Sequence, residues 1–148
     1  MAASVKTAAL RFLKIRPHSQ AELEVKLRRK GFEASEIEAT VVDLKNTRLV
    51  DDRAFTKSWI NYRLARPFGF QRIIGELKIK GVAEAIIQEM VAEAKTEYVE
   101  GDIVLGLARR RWERLGNIDP QKKKKRMFDF LLRRGYSVDA VMKVIKKL

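Results

Sequence analysis

Basic side chains are the residues of this sequence best suited to do chemistry, and that chemistry is the binding of polyanions. The chain has 148 residues, and 32 Lys and Arg against 19 Asp and Glu leave a formal net charge of +13. The excess is uneven, with +4 in residues 1–50, +1 in 51–98 and +8 in 99–148. A basic excess concentrated in the last third predicts a nucleic acid or another polyanion as the partner.

The candidate binding residues lie mostly in the last turns of predicted helices and on two helices of the last third. On a helix, Lys122, Lys125, Arg126 and Arg133 share one exposed side. Phosphates are the expected target, because no arrangement for reading bases is evident, and binding should weaken steeply with salt. The predicted contacts with DNA or with a nucleoprotein filament are Arg28, Arg29, Lys30, Lys78, Lys80, Arg109, Arg110, Arg114, Lys122, Lys125, Arg126, Arg133 and Arg134.

The adjacent carboxylates Asp51 and Asp52 are the candidates for metal chemistry. Together with Glu76 and Lys78 they have the residue types of a metal-dependent nuclease, since clustered carboxylates bind Mg²⁺ and activate water. Such nucleases carry these residues on a β-hairpin, whereas both segments here have helical periodicity, so a helix start is the favoured interpretation. The chain has no cysteine, and its one histidine, His18, is expected in a turn, so we expect no metal, cofactor or catalytic site.

Four aromatic residues could stack on the bases of single-stranded nucleic acid: Trp59, Tyr62, Trp112 and Phe128. Each of them falls within an apolar stripe at helical spacing. Packing in a helical core is therefore the favoured role for all four.

Helix starts are marked by capping residues. Ser19 with Glu22, and Ser35 with Glu38, have the spacing of a capping box, and Asp119 precedes a proline that suits a first helical turn. No apolar stretch approaches the length of a membrane span, and the first residues lack the apolar core of a signal peptide, so we expect a cytoplasmic protein with no membrane association.

Three glycines, Gly31, Gly81 and Gly135, mark an internal repeat, with spacings of 50 and 54 residues. Each has a leucine four residues before it, a Lys or Arg directly before it, and apolar residues six and ten positions after it. This pattern predicts an all-α fold of three tandem three-helix repeats, over 1–50, 51–98 and 99–148, stacked as an elongated, curved array.

The residues of these repeats resemble those of the RecX family, bacterial regulators of the RecA recombinase. The resemblance covers nearly the whole chain and is densest in the second repeat. It rests on Arg16, Ser19, Glu22, Leu23, Leu27 and Gly31, on Leu49 to Asp52 with Phe55, on Gly69, Ile73, Glu76, Leu77, Lys80, Gly81 and Val82, and on Lys125, Phe130, Leu131, Arg134, Gly135 and Tyr136.

Two positions depart from the family's pattern. Phe68 stands where a lysine is common, and Phe70 stands where many relatives have a small residue or proline. These departures weaken the expectation that this turn makes a basic contact.

The resemblance implies a non-enzymatic regulator that binds in the groove of the RecA filament on DNA. Such binding would inhibit ATP hydrolysis, strand exchange and filament extension, and thereby regulate recombination and DNA repair. We expect the protein to be a monomer and its partners to include single- and double-stranded DNA. The alternative is a helical-repeat nucleic-acid-binding protein without a recombinase partner.

Overall fold

The computed structural model describes residues 4–148, so the first three residues of the predicted first repeat lie outside it. Nine α-helices and no strands are found in residues 4–148, which confirms the all-α prediction. The helices are α1 Val5–Ile15, α2 Gln20–Arg29, α3 Ala34–Asn46, α4 Asp52–Leu64, α5 Phe70–Ile79, α6 Glu84–Lys95, α7 Glu100–Leu115, α8 Pro120–Arg133 and α9 Val138–Ile145.

The glycine after the second helix of each repeat forms the same turn three times. Gly31, Gly81 and Gly135 have φ angles of 92°, 76° and 95°, in the left-handed region that favours glycine. In each turn the glycine N–H donates to the carbonyl three residues earlier, and the next N–H donates to the carbonyl of the leucine, as in a Schellman motif. The internal repeat inferred from the glycines is therefore a repeat of structure.

The first and third repeats are three-helix bundles in which each helix packs against the other two. The core of the first repeat includes Leu23, Leu27 and the predicted stripe of Ile37, Val41 and Leu44. The core of the third repeat comprises Val104, Leu107, Ala108, Met127, Leu131, Tyr136, Val141 and Val144. The apolar residues that recur at helical spacing in these helices are thus the ones that are buried in the cores.

Contacts divide the described chain into two compact units, and the division runs through the helices of the middle repeat. One unit contains the described residues up to Trp59 together with Leu77–Met90. The other contains Ile60–Glu76 together with Val91–Leu148. The repeat boundaries proposed from the sequence, after residues 50 and 98, remain a prediction.

The capping box at Ser19 and Glu22 is confirmed, but the one predicted at Ser35 and Glu38 is wrong. Helix α3 begins at Ala34 with Glu33 as its N-cap, and no side chain caps it. The preceding glycine turn sets this start, since α9 likewise has its N-cap, Ser137, two residues after its glycine. Ser35 therefore falls inside the first turn of its helix.

The same kind of hydrogen bond between successive repeats occurs once in each unit. In the first unit, the Ser19 hydroxyl at the start of α2 donates to the carbonyl of Lys80 at the end of α5, over 2.6 Å. In the second, the N–H of Gly69 at the start of α5 donates to the carbonyl of Arg134 at the end of α8, over 2.7 Å. Ser19 and Gly69 both stand twelve residues before the glycine of their own repeat. Each junction thus joins the start of one second helix to the end of the next repeat's second helix.

None of the helices within residues 4–148 has the length and apolar character needed to cross a lipid bilayer.

Candidate polyanion-binding surface

The predicted basic side of α8 is exposed. Lys122, Lys125, Arg126 and Arg133 are all exposed. The helix that carries them starts at Pro120 and is capped by the Asp119 side chain, which accepts the N–H of Lys122. Its opposite face enters the core through Met127 and Leu131. The arrangement leaves one row of positive charge on a rigid helix.

The arginines of α7 are exposed as predicted. Arg109, Arg110 and Arg114 stand on the outside of the helix, while Val104 and Ala108 are buried. Lys123, within the lysine run, behaves differently: its Nζ lies 4.3 Å from the centroid of the Trp112 ring. The lysine run is therefore only partly available to a ligand.

In the first repeat, Arg28, Arg29 and Lys30 are exposed where α2 ends. The Lys30 Nζ lies 5.5 Å from the centroid of the Phe12 ring. Three cations at this position also stabilise the helix, because they face the negative end of its dipole.

The two predicted binding residues of the middle repeat, Lys78 and Lys80, differ in exposure. Lys78 is exposed, but the Lys80 side chain is only 19% exposed. The Lys80 Nζ lies 3.3 Å from a Glu22 carboxylate oxygen and 4.3 Å from the centroid of the Trp59 ring. Lys80 thus joins α5 to α2, and its charge is already neutralised within the protein.

The carboxylates that suggested a nuclease have structural partners. Asp51 accepts the N–H groups of Arg53 and Ala54 and so caps α4, while Asp52 accepts the N–H of Gln20 over 2.8 Å. Within residues 4–148 no group of three or more His, Cys, Asp or Glu side chains could hold a metal ion. The helix-start interpretation of this pair is confirmed.

The aromatic predictions hold for two residues and fail for one. Trp112 and Phe128 pack against the core of the third repeat. Tyr62 is 47% exposed, so its predicted core position is wrong. The guanidinium carbon of Arg66 lies 4.4 Å from the centroid of the Tyr62 ring, so this ring packs on an exposed side chain of its own helix end. Trp59 is partly buried and stacks on Phe55, with an interplanar angle of 15°.

Glu22 and His18 form a buried polar network in the first repeat. Burial by itself raises the pKa of Glu22, but a hydrogen bond from Arg16, the Ser19 N–H and the charge of Lys80 together lower it to about 2. His18 is 3% exposed, with Nδ1 2.8 Å from the Arg16 carbonyl and Nε2 2.7 Å from the Lys26 Nζ. Burial lowers the pKa of His18, which favours the neutral ring, and Nε2 of the neutral ring accepts a hydrogen bond from the Lys26 ammonium group. His18 lies in the predicted turn, and its role is structural.

Three arginines that the sequence did not single out surround two phenylalanines in the second unit. The guanidinium carbons of Arg63 and Arg72 lie 4.5 and 4.2 Å from the Phe68 ring centroid, and that of Arg111 lies 4.8 Å from the Phe130 ring centroid. Helical periodicity does not bring these residues together. A phenylalanine at position 68, in place of a basic residue, is the one sequence signal for them.

The fold and this surface define a class of protein: an all-helical protein of tandem three-helix repeats, with exposed basic residues on helices of the first and third repeats. Family models match the three repeats in order, the first three-helix domain of RecX over residues 6–44, the second over 51–91 and the third over 100–145. The chain belongs to the RecX family.

Individual relatives are similar in sequence to this protein over nearly its whole length. The regulatory protein RecX of Pelodictyon phaeoclathratiforme is 33% identical over 143 residues, which cover 96% of this chain and 87% of that protein. The regulatory protein RecX of Vibrio campbellii is 35% identical over 138 residues, covering 93% and 87%. The family is thus one of regulatory proteins rather than of enzymes.

The fold agrees with a solved structure. The crystal structure of RecX from Lactobacillus salivarius has a TM-score of 0.86 and 21% sequence identity, and the match covers 97% of this chain and 94% of that one. The three-helix repeats are therefore shared at low sequence identity.

Proposed function

We propose that this protein binds RecA recombinase filaments on DNA and inhibits their ATP hydrolysis, strand exchange and extension. The observation that carries the proposal is its membership of the RecX family across all three repeats. The proposal includes action as a monomer in the cytoplasm, without a cofactor, and a role in regulating recombination and DNA repair.

Two kinds of surface support a nucleoprotein as the target. The exposed arginines and lysines of α7 and α8 suit phosphates. In the first unit, Ile79 is 88% exposed, and it lines a groove of about 240 Å³ with Val25, Lys26 and Arg29. An exposed apolar side chain beside basic ones suits a protein surface that offers apolar and acidic groups. We assign this groove to the recombinase rather than to DNA.

A DNA-dependent ATPase assay with the cognate recombinase tests the proposal. The rate is expected to fall as the protein approaches stoichiometry with the recombinase, and an unchanged rate would refute the proposed function. The substitution Ile79→Ala is expected to weaken the inhibition and to leave the affinity for bare DNA unchanged. The matched control is Val42→Ala, which shortens a side chain that is 53% exposed on α3 and should change neither property.

The alternative is a helical-repeat protein that binds nucleic acid without a recombinase partner. The concentration of charge in the last third, +8 of the total +13, favours it. The two functions differ in their preferred ligand, bare DNA for the alternative and the preformed filament for the proposed function.

A further inference from the structure

Four guanidinium groups surround Phe68 and Phe130 in the second unit. Arg134 contacts both rings, with its guanidinium carbon 4.9 Å from the Phe68 centroid and 5.4 Å from the Phe130 centroid. Arg63 and Arg72 lie over Phe68, and Arg111 lies over Phe130. We call these six residues the arginine–phenylalanine cluster.

The backbone junction between α5 and α8 brings the cluster together. The Gly69 N–H donates to the Arg134 carbonyl, and the Gln71 N–H donates to the Gly135 carbonyl over 3.0 Å. A Cβ at Gly69 would lie 2.4 Å from the Gly135 carbonyl carbon, so only glycine allows this approach. Phe68, directly before Gly69, is thereby held against the end of α8.

The cluster is more positive than its own carboxylate can neutralise. Glu76 pairs with Arg63 by two hydrogen bonds and lies 3.9 Å from the Arg72 Nε. Within residues 4–148 no ion pair is found for Arg111 or Arg134. A guanidinium over a ring face keeps N–H donors at its edges, and the ring attracts the cation without neutralising it. Gathering these charges therefore leaves donors and positive potential for an anion.

The cluster continues into the basic row of α8. Arg133 adjoins Arg134, and the exposed row runs from there to Lys122, about 16 Å along the helix. That length matches about five phosphates of one strand at about 3.4 Å each. A polymer of phosphates suits such a track better than single carboxylates do, and guanidinium groups bind phosphate in a bidentate manner.

We propose that the arginine–phenylalanine cluster is a phosphodiester-binding site for the nucleic-acid backbone, in which Arg72, Arg111 and Arg134 contact phosphates. Arg63, fixed by Glu76, and the two phenylalanines position these arginines. This inference rests on the proposed function only in taking nucleic acid as the polyanion. The phenylalanine that departs from the family's lysine thus creates a basic contact in this turn, contrary to the expectation from the sequence.

The test replaces arginine with lysine, which keeps the net charge and removes the bidentate guanidinium. The variant Arg72→Lys, Arg111→Lys, Arg134→Lys is expected to bind a labelled single-stranded oligodeoxythymidine about tenfold more weakly in fluorescence anisotropy. The matched control makes the same exchange at Arg11, Arg48 and Arg53, which are exposed arginines of the first unit outside the predicted contacts, and should change the affinity by less than about threefold. Equal losses in the two variants would overturn the proposal.

A second variant distinguishes an effect of the Phe130 ring on DNA binding from an effect on the stability of the fold. Phe130→Leu keeps every charge, and thermal melting reports whether it folds. In the folded variant, an affinity for the oligonucleotide equal to that of the wild type would overturn the positioning role of the ring. A triple lysine variant that binds bare DNA normally but preformed filaments weakly would assign the cluster to protein contact and overturn the proposal. Bare-DNA binding needs no recombinase, so these outcomes are independent of the ATPase result.

Discussion

Two glycines in or just after α5 differ in whether their position requires glycine. Gly81, after the end of α5, has a φ of 76°, and a Cβ there would lie 2.4 Å from the Ala21 Cβ. Gly75 lies inside α5, and a Cβ added to it would have no atom within 4 Å beyond its chain neighbours and the nearby backbone of its own helix. The first glycine is needed for conformation and for a close approach, whereas the second only weakens its helix.

We therefore predict opposite effects of the same substitution at these positions. Gly81→Ala should destabilise the protein by about 1 kcal/mol or more, because alanine is strained at positive φ and contacts Ala21. Gly75→Ala should stabilise it by up to about 1 kcal/mol, because alanine favours helix. Urea unfolding measures both changes. A destabilisation of equal size in the two variants would contradict the assigned roles.

His18 gives the first unit a dependence on pH. Its folded-state pKa is lowered by burial, so it contributes stability that is present above the unfolded pKa of about 6.5 and is lost as the pH falls. The charged groups around it are Arg16, Lys26 and Glu22. Glu22, whose pKa is about 2, loses its contribution only at lower pH, as the pH falls below about 4.5.

The melting temperature of the wild type is expected to fall between pH 7.5 and pH 5.5. His18→Gln removes the titrating group, so the fall should be smaller in that variant. A fall of the same size in both proteins would show that other groups cause it.

At the scale of the helices, sequence patterns predict the turns and caps that depend on residues close together in the chain. The glycine turns at Gly31, Gly81 and Gly135 and the caps at Ser19 and Asp119 follow from residues within one turn of each other, and the structure has all of them. A local signal is misleading where a stronger local constraint competes with it. The capping spacing at Ser35 is such a case, since the preceding glycine turn already sets the helix start.

Contacts between distant segments could not be predicted from periodicity. Gly69 reads as a helix break, yet its role is to let the backbone of α5 approach that of Gly135. Lys80 reads as a surface cation, yet it pairs with Glu22 across repeats. The cluster around Phe68 likewise joins residues more than sixty positions apart, which no spacing within a repeat encodes.

The hydrogen bond between repeats at Ser19 makes this helix cap contribute more to stability than the cap at Ser137. The Ser19 hydroxyl accepts the Glu22 N–H and also donates to the Lys80 carbonyl in the next repeat, whereas Ser137 caps only α9. Ser19→Ala should cost about 2 kcal/mol, about 1 for the cap and about 1 for the part-buried Lys80 carbonyl that loses its donor. Ser137→Ala should cost about 1 kcal/mol. Denaturant unfolding compares the two, and equal losses would argue against the bond between repeats.

For the molecule as a whole, we propose that most of the polyanion contacts lie in the third repeat. Replacing Lys122, Lys125 and Arg126 with glutamate is expected to weaken filament binding by at least about tenfold and to lower its salt dependence, because fewer phosphates are neutralised. Binding titrations at two salt concentrations measure both quantities.

The control for that variant changes the same number of charges in the first repeat. Lys6, Arg11 and Lys14 are exposed on α1, outside the predicted contacts. Their replacement with glutamate should have a smaller effect on filament binding. If both variants lose affinity equally, net charge alone governs binding, and the location of the basic residues has no importance.

The proposed ligand is the recombinase filament, and the affinities for filament and for bare DNA distinguish it from the alternative. The wild-type protein is titrated into labelled single-stranded DNA and, at the same salt concentration, into filaments of the cognate recombinase preformed on that DNA. We expect tighter binding to the filament, because the groove beside Ile79 adds protein contacts to those of the basic helices. Tighter binding to bare DNA would contradict it and favour a nucleic-acid-binding protein without a recombinase partner.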